Sequence, residues 1–345
     1  MTKQSKKTIL EVKNLEVEFH TEIGTVSAVN GVNMQINSGQ AIGVVGESGC
    51  GKSVTASSAL QILPNSAEIV SGEINFMKED KNVVNLLELD SESKEMRNIR
   101  GNEIAMIFQE PMRAFSPVHT VGNQISEAVL LHQDMAKYAA KDKAIELLDL
   151  VGISNPTQRV NEYPFQLSGG MTQRAMIAMA LACNPRLLIA DEPTTALDVT
   201  IQAQVLQLIK EMQGNLNLSL MLITHDLGVI AHMVDHVYVM YLGRIVENAP
   251  VIEIFDNPEH PYTRDLLRSI PKVSGNQGKL ASIEGSVPDT YNIPTGCAFH
   301  PRCRETIDDI CQKTIPKVIN INENHQISCC GYQREGGSKN ANTAG

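Results

Sequence analysis

Gly46-Glu47-Ser48-Gly49-Cys50-Gly51-Lys52-Ser53 stands between a short apolar run, Gln40-Ala-Ile-Gly-Val-Val45, and a glycine-free stretch, Lys52 to Leu63, with apolar positions at helical spacing. A run of the first kind makes a buried parallel strand, and the spacing after it makes a helix. The loop between them is G-x-x-x-x-G-K-S. Its glycines let backbone N–H groups close around phosphate oxygens, Lys52 supplies positive charge, and the Ser53 hydroxyl faces Mg²⁺. The helix that begins at the lysine adds its N-terminal amides and its dipole. The stretch predicts a nucleotide site from Gly46 to Ser53 in an α/β fold. Cys50 fills a variable position of the loop and reads as packing, because a catalytic thiol there has no acid or base partner in view.

A second apolar strand, Arg186-Leu-Leu-Ile-Ala190, delivers Asp191 and Glu192 to its C-terminal end. Ligands of open α/β sheets gather at such ends. Two adjacent carboxylates there can divide the work: Asp191 holds Mg²⁺, and Glu192 orients and polarises the attacking water as general base. Pro193 stops the strand.

Further motifs stand in fixed order around these two. Leu167-Ser-Gly-Gly-Met-Thr-Gln-Arg174 resembles the signature motif of the ATP-binding subunits of ABC transporters. Gln109 resembles the family's Q-loop glutamine, Thr195-Ala-Leu-Asp198 its D-loop, His225 its switch histidine, and Phe19 the aromatic that stacks on adenine. The resemblance covers about residues 10 to 260. It implies ATP and Mg²⁺ as ligands, with Ser53, Gln109 and Asp191 around the metal and Glu192, His225 and Gln109 as catalytic residues. It also implies that Ser168, Gly169 and Gly170 cap the γ-phosphate of ATP held by an opposite subunit. A helix opening at these three residues presents free amides and no bulky side chains, which suits an anion. The chain shows one ATPase unit and no internal repeat, so two head-to-tail subunits are expected and dimerisation is part of the chemistry.

The stretch from Gln109 to Ile125, with His260-Pro-Tyr-Thr-Arg-Asp-Leu-Leu267, is similar to the ATP-binding subunits of dipeptide and oligopeptide importers. Ile283-Glu-Gly-Ser-Val-Pro-Asp-Thr and Cys297-Ala-Phe-His-Pro-Arg-Cys303 extend the likeness over nearly the whole chain. The resemblance implies a homologous ATP-binding subunit forming a heterodimer, two transmembrane permease subunits and an extracytoplasmic solute-binding protein. Ala114-Phe-Ser-Pro117 replaces the Ser-Leu-Asn-Pro common in peptide-type members, which leaves oligosaccharides or nickel as alternative solutes. A soluble ABC ATPase of translation or DNA maintenance is the other class, but such proteins carry two units or a long coiled-coil insertion, and this chain has neither.

Cys297, Cys303, Cys311, Cys329 and Cys330 crowd the C-terminal part of a chain with seven cysteines. In a reducing compartment disulfides are disfavoured, so metal or cluster ligation is the better reading. Four thiolates can hold zinc or an iron–sulfur cluster. Similar peptide-importer subunits carry this pattern, and the resemblance implies a [4Fe-4S] cluster on Cys297, Cys303, Cys311 and Cys329, with Cys330 as alternative fourth ligand and Zn²⁺ as alternative metal. His300, His325 and Cys183 read as structural.

The net charge of −10 argues against nucleic-acid binding, which needs a basic stripe. No run approaches the ~18 to 20 apolar residues that span a bilayer, and Met-Thr-Lys-Gln-Ser-Lys-Lys at the start lacks a signal's apolar region. The expectation is a peripheral protein on the cytoplasmic face of the membrane, held by other subunits. The fold expected is a P-loop NTPase (RecA-like) α/β core with an antiparallel β lobe, a helical subdomain and a small cysteine-rich C-terminal segment. The ABC domain is expected over 1–260, with its helical subdomain at about 118–182. The cysteine-rich domain is expected over 261–335 and a disordered tail over 336–345.

Overall fold

The computed structural model describes residues 7–195, 197–270, 283–307 and 309–333. The disordered tail expected over 336–345 lies outside the described residues. Strands run in chain order β1 (Thr8–His20), β2 (Thr25–Asn37), β3 (Ala41–Val45), β4 (Ala67–Met77), β5 (Val83–Asn85), β6 (Ile104–Ile107), β7 (Leu187–Asp191), β8 (Ser219–Thr224), β9 (His236–Tyr241), β10 (Arg244–Pro250), β11 (Ile319–Asn322) and β12 (His325–Ile327). The helices that matter here are α1 (Lys52–Ala59), α2 (Val121–His132), α3 (Lys137–Leu150), α4 (Gly169–Ala180), α5 (Val199–Asn215), α6 (Leu227–Met233) and α7 (Pro261–Arg268).

Two sheets form. One is antiparallel, in the order β2-β1-β4-β5, with Val12 opposite Met34 and Val17 opposite Val29. The other follows β11-β12-β10-β9-β3-β8-β7-β6, parallel from β9 to β6. Every residue of β3, β7 and β8 is buried, as continuous apolar strands covered on both faces should be.

Alternation along these strands sorts the core into two layers. Ile42, Val44, Leu187, Ile189, Met221 and Ile223 face the antiparallel sheet, with Val12, Val17 and Phe76 opposite them. Ala41, Val45, Leu188, Ala190, Leu220 and Leu222 face the helical side, in one cluster with Ile125, Val129, Ala144, Leu148, Met176 and Ile209. Helices α2, α3 and α4 thus pack together on that side. Gly43 lets α6 approach, since a Cβ there would lie 2.5 Å from Ile230 Cδ1.

The C-terminal residues join this core. β12 pairs with β10, placing Ile327 opposite Glu247, and β11 pairs with β12. Phe299 is 1% exposed and meets Tyr241 and Tyr262 with ring centroids 5.2 and 5.3 Å away.

Candidate active site

The carboxyl ends of β3, β8, β7 and β6 lie side by side, and each feeds one piece of the site: the loop Gly46–Ser53, His225, Asp191 with Glu192, and Gln109. This is where a parallel α/β sheet leaves room for a ligand.

Local backbone dictates the loop's glycines. Gly46 has φ +155°, and a Cβ on it would stand 2.1 Å from the Met240 carbonyl oxygen. Gly51 has φ +99°, and its Cβ would stand 2.3 Å from the Ala28 carbonyl oxygen. Ser48, Gly49 and Ser53 are exposed, whereas Lys52 is buried and donates from Nζ to the carbonyls of Gly46 at 2.8 Å and Glu47 at 3.0 Å. Cys50 is buried under the loop, where desolvation pushes its thiol up.

Ser53 Oγ donates to Asp191 Oδ1 at 2.9 Å, which joins the loop to the end of β7. Burial raises the Asp191 carboxyl, while the Ser53 bond opposes that rise. Glu192 follows in a left-handed conformation, φ +44°, with its N–H bonded to the Ile223 carbonyl at 2.9 Å. Such a φ is uncommon for a residue without a turn-forming side chain and is costly unless the surroundings fix it. Three donors from separate segments meet its carboxylate: Gln109 Nε2 at 3.0 Å, Thr195 Oγ1 at 2.9 Å and the His225 ring at 3.3 Å.

Two groups of expected residues stand apart from this gathering. Ser168 and Gly169 are exposed at the start of α4, where Ser168 Oγ accepts from Met171 N at 3.4 Å as a helix cap. Among the described residues, no hydrogen bond of theirs reaches the loop Gly46–Ser53 of the same chain. Gly170 is small because a Cβ would press Ile201 Cγ2 at 2.9 Å, so α4 and α5 can close together. Phe19 lies near the end of β1, opposite Val26 and Ala67, half-buried against the antiparallel sheet's core.

The structure adds residues that sequence reading missed. Arg302 of the C-terminal segment forms two bonds to the Glu47 carboxylate, at 2.6 and 3.0 Å. Tyr262 accepts the Glu47 N–H at 2.9 Å. Glu247, fully buried, accepts from His325 Nε2 at 2.8 Å and from the amides of Glu259 and His260 at 2.7 and 3.0 Å. His260 is buried and neutral, held down to about 4 by desolvation, and its Nδ1 caps α7. Tyr262 and Arg302 sit inside the quoted motifs His260–Leu267 and Cys297–Cys303, but nothing in their spacing points to the loop.

Among the described residues the cysteine-rich segment shows no arrangement that would hold the metal centre expected of it. All seven cysteines are free, and among the described residues no group of three or more His, Cys, Asp or Glu is placed to hold a metal ion. The thiols are neighbours all the same. Burial pushes Cys297 and Cys329 up to about 11 and Cys330 to about 12, with the adjacent thiols adding to each rise. Cys311 and Cys330 are buried and Cys297, Cys303 and Cys329 half-buried, with Cys297 and Cys303 packed against the main core cluster.

Comparison with known proteins agrees with this geometry. A family model described as ABC transporter matches residues 29–195, and one described as oligopeptide/dipeptide transporter, C-terminal region, matches residues 246–311. The oligopeptide transport ATP-binding protein AppD of Bacillus subtilis is 48% identical over 95% of this chain and 98% of its own. The dipeptide transport ATP-binding protein DppD of the same organism is 48% identical over 93% of this chain and 94% of its own. A solved dimeric ATP-binding cassette in a post-hydrolysis state bound to ADP and Pi superposes with a TM-score of 0.61 at 25% identity, covering 70% of this chain and 99% of that one.

Proposed function

The chain belongs to the ABC transporter ATP-binding proteins, in their oligopeptide/dipeptide branch, and from that premise we propose how its residues use ATP to drive import of peptides. The protein is an ATPase with the ABC cassette fold. The observation that carries the reading is the convergence of Lys52, Ser53, Asp191, Glu192, Gln109 and His225 at neighbouring strand ends.

In this reading the residues Gly46 to Ser53 wrap the phosphates, and Lys52 exchanges its two carbonyl partners for phosphate oxygens. Ser53 and Asp191 are hard oxygen donors 2.9 Å apart, a set that fits Mg²⁺, with Gln109 close by. When bound, that ion neutralises charge between the phosphates. Glu192 takes a proton from the attacking water, and His225 and Gln109 orient it and the terminal phosphate. Ser168 and Gly169, exposed at the start of α4, cap the nucleotide of a partner ATPase together with the half-buried Gly170, and Phe19 stacks on the base. ATP closes the head-to-tail pair and hydrolysis reopens it.

The partners are a homologous ATP-binding subunit, two permeases and a solute-binding protein. In this reading the permeases hold the chain at the cytoplasmic face; among the described residues no helix is long and apolar enough to cross a membrane. The peptide-transport names of the relatives favour peptides over the alternatives that Ala114–Pro117 left open. The organisation is an ATPase domain to about residue 260, including a helical subdomain near 118–182, followed by a C-terminal domain to about 335. For that domain the finer reading is that Cys297, Cys303, Cys311 and Cys329 take up an iron–sulfur cluster by rearranging. Their shared location supports it, and iron and sulfide analysis of anaerobically purified protein tests it: stoichiometric zinc, or no metal, removes it.

The test of the main reading is hydrolysis in the assembled complex. ATPase activity stimulated by peptide-loaded binding protein, with uptake into vesicles, is expected. A complex that takes up peptide without consuming ATP overturns it.

A further inference from the structure

Glu47 is an awkward residue for its place. It is the second residue of a loop that has to gather a polyanion, and its carboxylate adds negative charge there. The structure answers that charge from far along the chain. Arg302 meets it with two parallel bonds, Nη1 to Oε2 at 2.6 Å and Nη2 to Oε1 at 3.0 Å, and the arginine side chain is only 4% exposed. A bidentate pair of this kind fixes orientation as well as charge.

The rest of the guanidinium is held too. Nε donates to the Glu284 carbonyl at 3.1 Å, and Nη1 lies 3.4 Å from the Tyr241 hydroxyl. Tyr262, whose hydroxyl accepts the Glu47 N–H, packs at 4.7 Å from Tyr241 between ring centroids, and Phe299 closes the cluster. Residue 47 is thus gripped at three points: its amide by Tyr262, its carboxylate by Arg302, and its carbonyl by Lys52 at 3.0 Å. Any displacement of residue 47 moves a partner of the lysine that meets the phosphates. An ion pair serving only to hold the C-terminal segment would do as well on any core carboxylate; this one ends inside the phosphate loop.

We propose that Arg302 is a positioning residue of the nucleotide site, and that docking of the C-terminal segment sets the affinity of the phosphate loop for MgATP by neutralising and orienting Glu47. This rests on the reading of Gly46–Ser53 as the nucleotide site. The coupling is expected at the low end of the usual range for linked sites, about five- to tenfold in affinity.

The test uses the full chain and the fluorescence of N-methylanthraniloyl-ATP with Mg²⁺. Wild type should bind; if it does not, the nucleotide site itself is misassigned and the proposal falls with it. Arg302→Gln should weaken binding about five- to tenfold, and Arg302→Lys, which keeps the charge but not the paired geometry, by less. Adding Glu47→Gln to Arg302→Gln should recover affinity, because the uncompensated carboxylate is then gone. Unchanged affinity in Arg302→Gln and Arg302→Lys, with faster hydrogen exchange at β12, would show a mere staple and overturn the proposal. Weakening that Glu47→Gln fails to relieve would overturn it as well, since Arg302 would not be acting through Glu47. Arg302→Lys keeps the measurement available if Arg302→Gln does not fold.

Discussion

Replacing Glu247 by Gln tests whether the C-terminal segment is held by a buried charge. Glu247 and His325 side chains are 0% and 2% exposed, and the carboxylate accepts three bonds at 2.7 to 3.0 Å. An amide offers one oxygen, so its NH₂ must face at least one of those donors. Losing a charge-assisted bond costs about 1.5–3 kcal/mol, and breaking a buried pair from one side about 3–5 kcal/mol. Taking about 3 kcal/mol, at 1.4 kcal/mol per factor of ten, the segment should open about 100-fold more often. Hydrogen exchange reads this at Ser328 N, bonded to the Val246 carbonyl at 2.8 Å, against Leu220 N in the central sheet as internal control. The pH dependence follows in sign. Burial pushes the Glu247 carboxyl up, but His325, the Thr263 hydroxyl and the two amides outweigh it and hold it below 4.5; the Glu247 bond raises His325 above 6.5. The histidine's contribution is complete below 6.5 and is lost as pH rises through its raised value. The carboxylate's contribution is present above 4.5 and is lost as pH falls through its depressed value. Protection at Ser328, corrected for intrinsic exchange, should therefore be greatest between these limits in wild type and flatter in the variant. Wild-type protection in Glu247→Gln, or an unchanged pH slope above 6.5, would refute the reasoning.

Glu192→Gln should keep MgATP affinity while lowering kcat of the assembled transporter by about 10²–10⁴, the usual share of a general base; undiminished turnover removes Glu192 from that role. Gly46→Ala should abolish nucleotide binding, measured by titration, because its Cβ would meet the Met240 carbonyl at 2.1 Å. Ser168→Arg in one subunit of a mixed dimer should disable the partner's nucleotide site more than its own, as read by trapping of labelled nucleotide; the opposite pattern would exclude a head-to-tail arrangement. In metal-free reduced protein, Cys297 and Cys329, pushed to about 11 by burial, should react with iodoacetamide at pH 8 at about 10⁻³ of the rate of a full thiolate, accelerating tenfold per pH unit, as mass spectrometry can follow.

What the sequence made legible is what local chemistry dictates. The loop Gly46–Ser53 is contiguous, so its glycines and lysine announce themselves, and the strands at 41–45, 187–191 and 219–224 are apolar through their centres because both of their faces are covered. What stayed hidden depends on distant pairing. Arg302 and Glu47 are 255 positions apart, and no periodicity links them. The hairpin β11–β12 is built from strands of four and three residues, below the length at which alternation can be read, yet it extends the main sheet. For the cysteines, spacing alone cannot tell thiols gathered around a metal from thiols packed into a core, and among the described residues no group of three or more ligands is placed to hold an ion.

Glu192 shows why a candidate catalytic group could be named from sequence while its surroundings could not. A carboxylate has about four acceptor sites on its two oxygens. Gln109, Thr195 and His225 already occupy three, and each comes from a different segment. One site is left, which is what a water donating a proton needs. The longest of the three bonds, 3.3 Å to His225, is the weakest and the first to be surrendered when a terminal phosphate offers the imidazole a stronger acceptor. On the proposed roles, then, nucleotide does not assemble this group of side chains from scattered parts. It exchanges one partner of a preformed hub, and because that hub ties the ends of β6, β7 and β8 together, the exchange reaches every segment that the proposed partner ATPase and permeases would have to sense.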